Sequence, residues 1–223
     1  MTAGPVRVAL LAIAIAIGGL LLFVALFNGP DTYGDIARSS GRTGAAFRTA
    51  PDLTWSTDLI GLTDLHARTL AYVLGRSAEL PSFATTGRPL FEANERSHMA
   101  DVRGVFRLTG YAFVVALVVI AGLVRWTSRR ERSRLVRDAS VVAGATVALI
   151  AVVAAVAFDP LFLLFHETFF PQGNFLFPAD SNLLTLYPDE YWYGVTLRIG
   201  VAFVVAMAVT SIGLSATLRQ ARR

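Results

Sequence analysis

Four apolar blocks, each about as long as a bilayer is thick, constrain the fold of this 223-residue chain most. They occupy residues 6–27, 108–126, 139–165 and 195–218. A helix that crosses the hydrocarbon core needs about 20 largely apolar residues, and inside lipid it must satisfy its own backbone hydrogen bonds. The sequence therefore predicts an all-α membrane protein, a single membrane domain with four transmembrane helices.

The first block has a rival interpretation as a cleaved signal peptide. Such a peptide has an apolar core of about 7–15 residues followed by a small-residue cleavage site. Here the core of residues 8–27 is longer and runs into Asn28, Gly29 and Pro30. These features favour an uncleaved membrane helix.

Basic residues predict the orientation of the four helices. The loop at 127–138 and its flanks are rich in arginine, as is the C-terminal tail, and the residues concerned are Arg125, Arg129, Arg130, Arg132, Arg134, Arg137, Arg219, Arg222 and Arg223. Short arginine-rich segments stay in the cytoplasm. We therefore expect both termini to be cytoplasmic in a bacterial plasma membrane, with segments 28–107 and 166–194 outside. Because the basic charge lies beside apolar blocks, it does not indicate a nucleic-acid partner.

Two absent residue types exclude several reaction mechanisms. The chain has no cysteine, which excludes disulfides and thiolate nucleophiles. All its basic residues other than histidine are arginine, so a Schiff-base lysine is excluded as well.

The long outer segment 28–107 is too apolar and aromatic for a disordered linker, and we expect a cap of helices and loops. Residues 63–75 predict a helix with Thr63 as its N-cap and Gly75 as its C-terminal stop. Residues 94–107 predict a second helix that runs into the next apolar block without a break.

The first candidate site lies on that second helix. Glu95, His98 and Asp101 share one helical face at a spacing of three residues. A carboxylate one turn from an imidazole can fix its tautomer and raise its basicity, as a general base requires. The alternative is an ordinary solvated face beside the membrane.

The second candidate site is a His166–Glu167 pair at the outer end of the third block, flanked by phenylalanines. Ionisable residues at membrane depth are costly and are commonly functional. The alternative is that His166 only marks the interface. Upstream, Asp159-Pro160 predicts a kink.

The loop 175–193 mixes turn residues with large aromatic residues, including Tyr187 and Trp192. It fits either an interfacial aromatic belt or a lid over a lipid-facing pocket. His66, the third histidine, fits a surface or packing role better than a catalytic one. His166–Glu167 lacks the second histidine of a zinc-binding helix, so we predict no metal and no cofactor.

Four segments resemble a bacterial four-helix membrane family that includes the lipoprotein intramolecular transacylase. They are E-x-x-H-M-x-D-V from residue 95, F-H-x-x-F-F at 165–170, D-S-x-L-x-x-L-Y-P-x-x-Y-W at 180–192, and D-L-x-x-x-T-L-x-Y-V-L-G at 64–75. Their order and spacing agree along nearly the whole chain. In the loop at 171–177 a phenylalanine takes the aromatic position where the family usually carries tryptophan.

The resemblance implies that an acyl chain moves from the sn-2 ester of a diacylglyceryl-cysteine lipoprotein to the α-amine of the same cysteine. Membrane lipid and bacterial lipoproteins would be the partners. The family's two implicated histidines fall on His98 and His166. Our hypothesis makes His166 the base and His98 its acid or electrostatic partner. The supporting residues would be Glu95, Asp101 and Glu167 in the catalytic group, and Arg103, Arg68, Tyr187 and Trp192 toward the substrate.

Two other classes remain open from the residues alone. One is a non-catalytic membrane protein whose outer segment binds a partner, in which case the two histidines would lie far apart. The other is a metal-dependent membrane hydrolase, which would need both histidine segments to meet around one ion.

Overall fold

The computed structural model describes residues 4–83 and 86–220, most of which are helical. In chain order the elements are α1 (Pro5–Phe27), α2 (Pro30–Ser39), β1 (Gly44–Ala50), β2 (Leu53–Asp58), α3 (Leu59–Val73), α4 (Ala93–Arg125), α5 (Arg129–Val156), α6 (Phe158–Phe169), α7 (Asn182–Leu186) and α8 (Asp189–Gln220). Helices α1, α4, α5 and α8 are long and apolar enough to cross a membrane. The protein is a multi-pass membrane protein. Arg222 and Arg223 lie outside the described residues.

The chain divides into two compact units. The first, which we call the helical unit, contains α1 up to Leu26, the part of α4 from Thr109, α5, and α8 from Leu197. Its core is a cluster of small and branched residues around Phe203 and Leu135. Gly19 allows α1 to approach α8 closely, because a Cβ at that position would lie 2.5 Å from the Phe203 ring. Small residues serve helix packing in membranes in this way.

The second unit, which we call the cap, comprises Phe27–Leu108 and Phe158–Thr196. Its core includes the buried side chains of Tyr33, Phe47, Leu62, Phe91 and Leu186. Beside its helices it contains an antiparallel hairpin in which Phe47 pairs with Trp55. The hairpin was not predicted, although the Pro51-Asp52 turn between two short alternating segments is a hairpin signal.

Helix α3 corrects one predicted boundary. It begins at Leu59, one turn before the predicted N-cap Thr63, and Asp58 caps it by accepting a hydrogen bond from the Gly61 N–H at 2.9 Å. Its predicted stop is confirmed. Gly75 has φ +73°, and the N–H groups of Gly75 and Arg76 donate to the carbonyls of Tyr72 and Ala71, which is the Schellman arrangement.

The third apolar block is two helices, so the predicted continuous span to residue 165 is wrong. Helix α5 ends at Val156, Ala157 leaves the helical conformation with φ −137° and ψ 45°, and α6 begins at Phe158. Pro160 explains the break, since it lacks an N–H and its ring collides with the carbonyl four residues earlier. In the first turn of α6 a proline costs nothing. Helix α6 thereby belongs to the cap.

Candidate active site

His98 is held near the start of α4, where a glutamate side chain caps the helix N-terminus. Glu92 precedes the first helical residue, and the Glu95 carboxylate accepts a hydrogen bond from the Glu92 N–H at 2.6 Å. This is one half of the capping-box arrangement. It fixes the first turn of α4, and His98 follows on the next turn with only 5% of its surface exposed.

The structure brings the His98 and His166 rings together inside the cap. Their centroids are 5.9 Å apart and the ring planes differ by 22°. The two residues are 68 positions apart in sequence, and they meet because the break at Ala157 starts a new helix, α6, that carries His166 in its third turn. One small reacting group can contact both rings at this separation.

Phenylalanine rings surround the histidine pair. Phe170 lies 4.6 Å from His98 and 5.5 Å from His166, measured between ring centroids. Phe177 completes the wall beside His98, and Phe162 and Phe175 stand beside His166 at 4.3 and 5.3 Å. This phenylalanine cage keeps both imidazoles in an apolar environment.

The tautomer of His166 follows from its backbone contact. Nδ1 lies 2.8 Å from the carbonyl oxygen of Phe162. A carbonyl can only accept a hydrogen bond, so Nδ1 carries the proton in the neutral ring. The lone pair is then on Nε2, which is the atom available to take a proton from a substrate.

Burial disfavours protonation of both rings. His98 precedes the apolar part of α4, which begins at Leu108. Burial lowers the pKa of His98 to about 4, and the nearby His166 adds to this shift. A hydrogen bond with Asn174 and the charge of Asp101 oppose it. Burial also lowers the pKa of His166, opposed by its bond to Phe162. Both imidazoles are therefore neutral near pH 7, the state in which a ring can accept a proton.

A polar cluster lies on one side of His98. Asp101 accepts hydrogen bonds from the side-chain amides of Gln172 at 2.8 Å and Asn174 at 2.6 Å. The Asn174 side chain in turn lies 3.4 Å from the Ser97 hydroxyl. No hydrogen bond between Asp101 and His98 is described; Asn174 bonds to Asp101 and also raises the pKa of His98 through a side-chain hydrogen bond. The predicted role of Asp101, to orient His98, stays a prediction.

Glu95 is engaged elsewhere. Its carboxylate, 2% exposed, accepts hydrogen bonds from the Ser181 hydroxyl at 2.5 Å and the Leu183 N–H at 3.0 Å, in addition to its bond to Glu92. These partners join α4 to the start of α7. The Glu95 carboxylate has no described bond to His98, and its predicted catalytic role stays a prediction.

Three further predicted site residues lie away from the two rings or on the surface. Glu167 is exposed on α6. Arg68 forms an exposed ion pair with Asp64 at 2.7 Å. Arg103 stacks over the Tyr72 ring at 4.8 Å and donates to the Ser77 carbonyl at 3.3 Å.

Tyr187 belongs to a separate aromatic cluster around His66. The buried His66 ring stacks on Tyr33 at 4.6 Å, donates from Nε2 to the Asn28 carbonyl and accepts from the Tyr187 hydroxyl, both at 3.1 Å. Both of its nitrogens are thus satisfied. Trp192 contacts Tyr187 and also Phe162, so it stands behind one wall of the phenylalanine cage.

Within residues 4–83 and 86–220, no group of three histidine, aspartate or glutamate side chains is arranged to hold a metal ion. Sequence reasoning missed the two amides and the cage. The available signal was the short polar segment Gln172-Gly173-Asn174 between phenylalanine-rich stretches, where Gly173 turns with φ +75°.

The fold and the site together define a class: a multi-pass membrane protein whose cap holds a pair of neutral histidines among phenylalanines. The family model for the lipoprotein intramolecular transacylase Lit matches residues 64–192, a range that contains both histidines. The chain belongs to this family. Among curated proteins, no sequence matches the chain.

Solved structures show the same fold. The integral membrane transacylase Lit of Bacillus cereus matches with a TM-score of 0.70 at 14% identity, over 96% of this chain and 97% of its own. Two variants of that protein, with a histidine replaced by arginine or by alanine, each match with a TM-score of 0.69 at 13% identity. The two matches include 92% and 94% of the variant chains, and each includes 97% of this chain.

Proposed function

We propose that this protein transfers an acyl chain within a lipoprotein, from the sn-2 ester of the diacylglyceryl-cysteine to the α-amine of that cysteine. The supporting observation is the pair of imidazoles 5.9 Å apart in an apolar cage, in a chain of the Lit family. Membrane lipid surrounds the protein, and the substrate is a lipoprotein anchored in the same leaflet.

In this proposal the Nε2 atom of His166 is the base. The amine nitrogen attacks the sn-2 ester carbonyl and loses a proton to Nε2, an N–C bond forms, and the bond between the carbonyl carbon and the glyceryl oxygen breaks. The glyceryl oxygen leaves with a proton that His166 returns, either directly or through His98. No proton is gained or lost overall, so the two rings finish the reaction as they began.

His98 has the complementary role. Its Nδ1 atom is buried and has no hydrogen-bond partner among the described residues, so it is left for the reacting group. Asn174 and the charge of Asp101 offset the effect of burial on the pKa of His98 only in part, so the ring is neutral near pH 7. A neutral imidazole carries one N–H, which can donate a hydrogen bond to the tetrahedral oxyanion.

Both reacting groups belong to one substrate molecule, so the reaction needs no second substrate. Holding an amine and an ester in reach of each other replaces a bimolecular encounter with an internal step, which lowers the barrier substantially. In this proposal the phenylalanine rings limit the access of water, which would otherwise hydrolyse the ester.

Replacement of His166 by asparagine tests the proposal. We expect acyl transfer to fall by about 10² to 10⁴, the range that a general base contributes, while the protein still inserts into the membrane. Mass spectrometry of lipoprotein N-termini would show the diacylglyceryl form in place of the N-acyl lyso-form. His66→Gln is the matched control, because it removes a histidine that lies outside the pair and should keep the activity per folded molecule. Full transfer by His166→Asn would contradict the proposal.

The orientation of the chain belongs to the same proposal. The arginines at 129–137 lie in the first turns of α5, and the positive-inside rule favours a cytoplasmic position for that end of the helix. The cap and its histidines then face outward, where the lipoprotein N-terminus resides.

A further inference from the structure

A concave site lies in the cap between the end of α3 and the first turns of α4. It is a cleft of about 330 Å³ whose lining includes Leu74, Gly75, Arg103, Gly104, Phe106 and Arg107. Gly104 opens the space, because a Cβ there would meet no heavy atom within 4 Å. We refer to this feature as the arginine cleft.

The arginine cleft is distinct from the histidine pair. Successive residues of an α-helix are rotated by about 100°, so Arg103 and Arg107 project roughly 140° and 180° around α4 from His98. The cage phenylalanines are absent from the cleft lining. An occupant of the cleft would therefore not contact the reacting groups.

The charged residues that line the cleft are all positive. Arg103 and Arg107 stand one helical turn apart, and no acidic residue lines the cleft. Neither arginine forms an ion pair within the described part of the chain. The Arg103 guanidinium is held over Tyr72 at 4.8 Å, which orders the group without neutralising its charge.

The walls and the position of the cleft indicate the rest of the ligand. Leu74 and Phe106 give it apolar sides, and Arg107 is followed at once by Leu108, 60% exposed, where the apolar part of α4 begins. Two arginines at the edge of an apolar helical segment suit an anionic headgroup whose acyl chains continue along that segment. Guanidinium groups bind phosphate oxygens with charge-assisted hydrogen bonds.

We propose that the arginine cleft binds an anionic glycerophospholipid through its phosphodiester. The lipoprotein substrate proposed above contains no phosphate in its diacylglyceryl-cysteine moiety, so this ligand is a separate molecule. The inference does not depend on the acyl-transfer proposal. It predicts a bound lipid that stays with the protein whether or not His166 is intact.

The test uses the purified full-length protein in detergent micelles and counts bound lipid by native mass spectrometry. The added probes are phosphatidylglycerol, phosphatidylcholine and inorganic phosphate, each in a separate arm. We expect the wild-type protein to retain one phosphatidylglycerol in preference to phosphatidylcholine. Millimolar inorganic phosphate should not displace it.

Two variants probe the cleft by different physical routes. The double variant Arg103→Gln and Arg107→Gln removes the charge and should weaken phosphatidylglycerol retention about tenfold or more. Gly104→Leu keeps both arginines and fills the cleft, and a leucine suits a helix better than glycine does. It should weaken retention similarly, so the test does not depend on the arginine variant folding well.

The matched control is Arg76→Gln with Arg88→Gln, which removes the same charge from exposed positions that do not line the cleft and should leave retention unchanged. His166→Asn should also bind as the wild type does. Unchanged retention in Gly104→Leu, or in a folded double cleft variant, would overturn the proposal. Equal retention of phosphatidylcholine, or displacement by inorganic phosphate, would overturn it as well.

Discussion

Three histidines occupy two kinds of environment in the cap, and the difference lies in what their nitrogens contact. His66 has a partner for each nitrogen and is stacked on a tyrosine. The buried Nδ1 of His98 has none among the described residues, and His166 keeps an open Nε2 lone pair because its Nδ1 donates to a carbonyl. A satisfied buried histidine stabilises a fold, whereas an unsatisfied one can act on a ligand.

The satisfied histidine predicts a pH-dependent stability. Burial lowers the pKa of His66 to about 4, while an unfolded histidine titrates near 6.5. Between these values the unfolded state binds the extra proton, so this contribution is complete above pH 6.5 and is lost as the pH falls toward 4. The loss at pH 5 is about 2 kcal/mol. The facing tyrosines do not ionise in this range, since burial raises the pKa of both Tyr33 and Tyr187.

Thermal unfolding in detergent at pH 7.5 and pH 5 measures this effect. The unfolding midpoint of the wild-type protein should fall with pH, and His66→Gln should lower the midpoint at pH 7.5 but show a smaller decline. His98→Asn separates the contribution of the other strongly shifted histidine. An identical pH-dependent decline in His66→Gln and the wild type would refute the assignment.

At the scale of elements, the apolar blocks were sufficient to predict the four long helices, because the bilayer imposes length and periodicity directly on the sequence. The break at Ala157 was only partly predicted, since Asp159-Pro160 indicated a kink and not a new helix. The hairpin was missed because its pairing depends on tertiary contacts. Asn182, for example, accepts from the Arg48 N–H and donates to the Arg48 carbonyl, both at 2.8 Å.

The two histidine segments could be selected from sequence, but their supporting residues could not. The helical spacing of Glu95 and His98 was correct, yet the Glu95 carboxylate bonds to Ser181 and Leu183, more than 80 residues later. Side-chain partners at that separation are decided by the packing of loops, which spacing within one helix does not reveal. The bond between Asn174 and Asp101 could not be predicted for the same reason.

The buried bonds of Glu95 predict that its replacement by glutamine destabilises the cap. Glu95→Gln leaves one oxygen and introduces an N–H₂ group toward donors from Ser181, Leu183 and Glu92. Charge-assisted bonds of this kind contribute about 1.5–3 kcal/mol each, and an unsatisfied buried donor adds a further penalty. We expect a drop in the unfolding midpoint of several degrees. Glu79→Gln, at an exposed position, is the control for loss of one negative charge.

The same variant distinguishes a structural role from a catalytic one. Glu95→Gln should keep most of its acyl transfer per folded molecule at low temperature, because its carboxylate has no described bond to His98. A variant with wild-type stability and no activity would instead assign Glu95 to the reaction.

In the whole molecule, different parts of the chain form the membrane helices and the cap that holds the histidine pair. The core of the helical unit consists mainly of small residues and branched apolar side chains. Most of the polar side-chain contacts described above lie in the cap. The cap lacks disulfides because the chain has no cysteine. It is held instead by its aromatic core and by buried polar bonds such as those of Glu95 and Asn182.

The absence of cysteine gives a direct test of the proposed orientation. A single cysteine can be introduced at Ser40, exposed in the cap, or at Ser128, which lies just before the arginine-rich start of α5. Any thiol reaction then reports that one position.

A membrane-impermeant maleimide should label Ser40→Cys in intact cells and label Ser128→Cys only after the membrane is permeabilised. The reverse pattern would place the arginine-rich start of α5 outside the cell and the histidine pair in the cytoplasm, where it could not meet a lipoprotein anchored in the outer leaflet. Labelling of both positions in denatured protein provides the control for thiol reactivity, so a negative result in intact cells reports access and not chemistry.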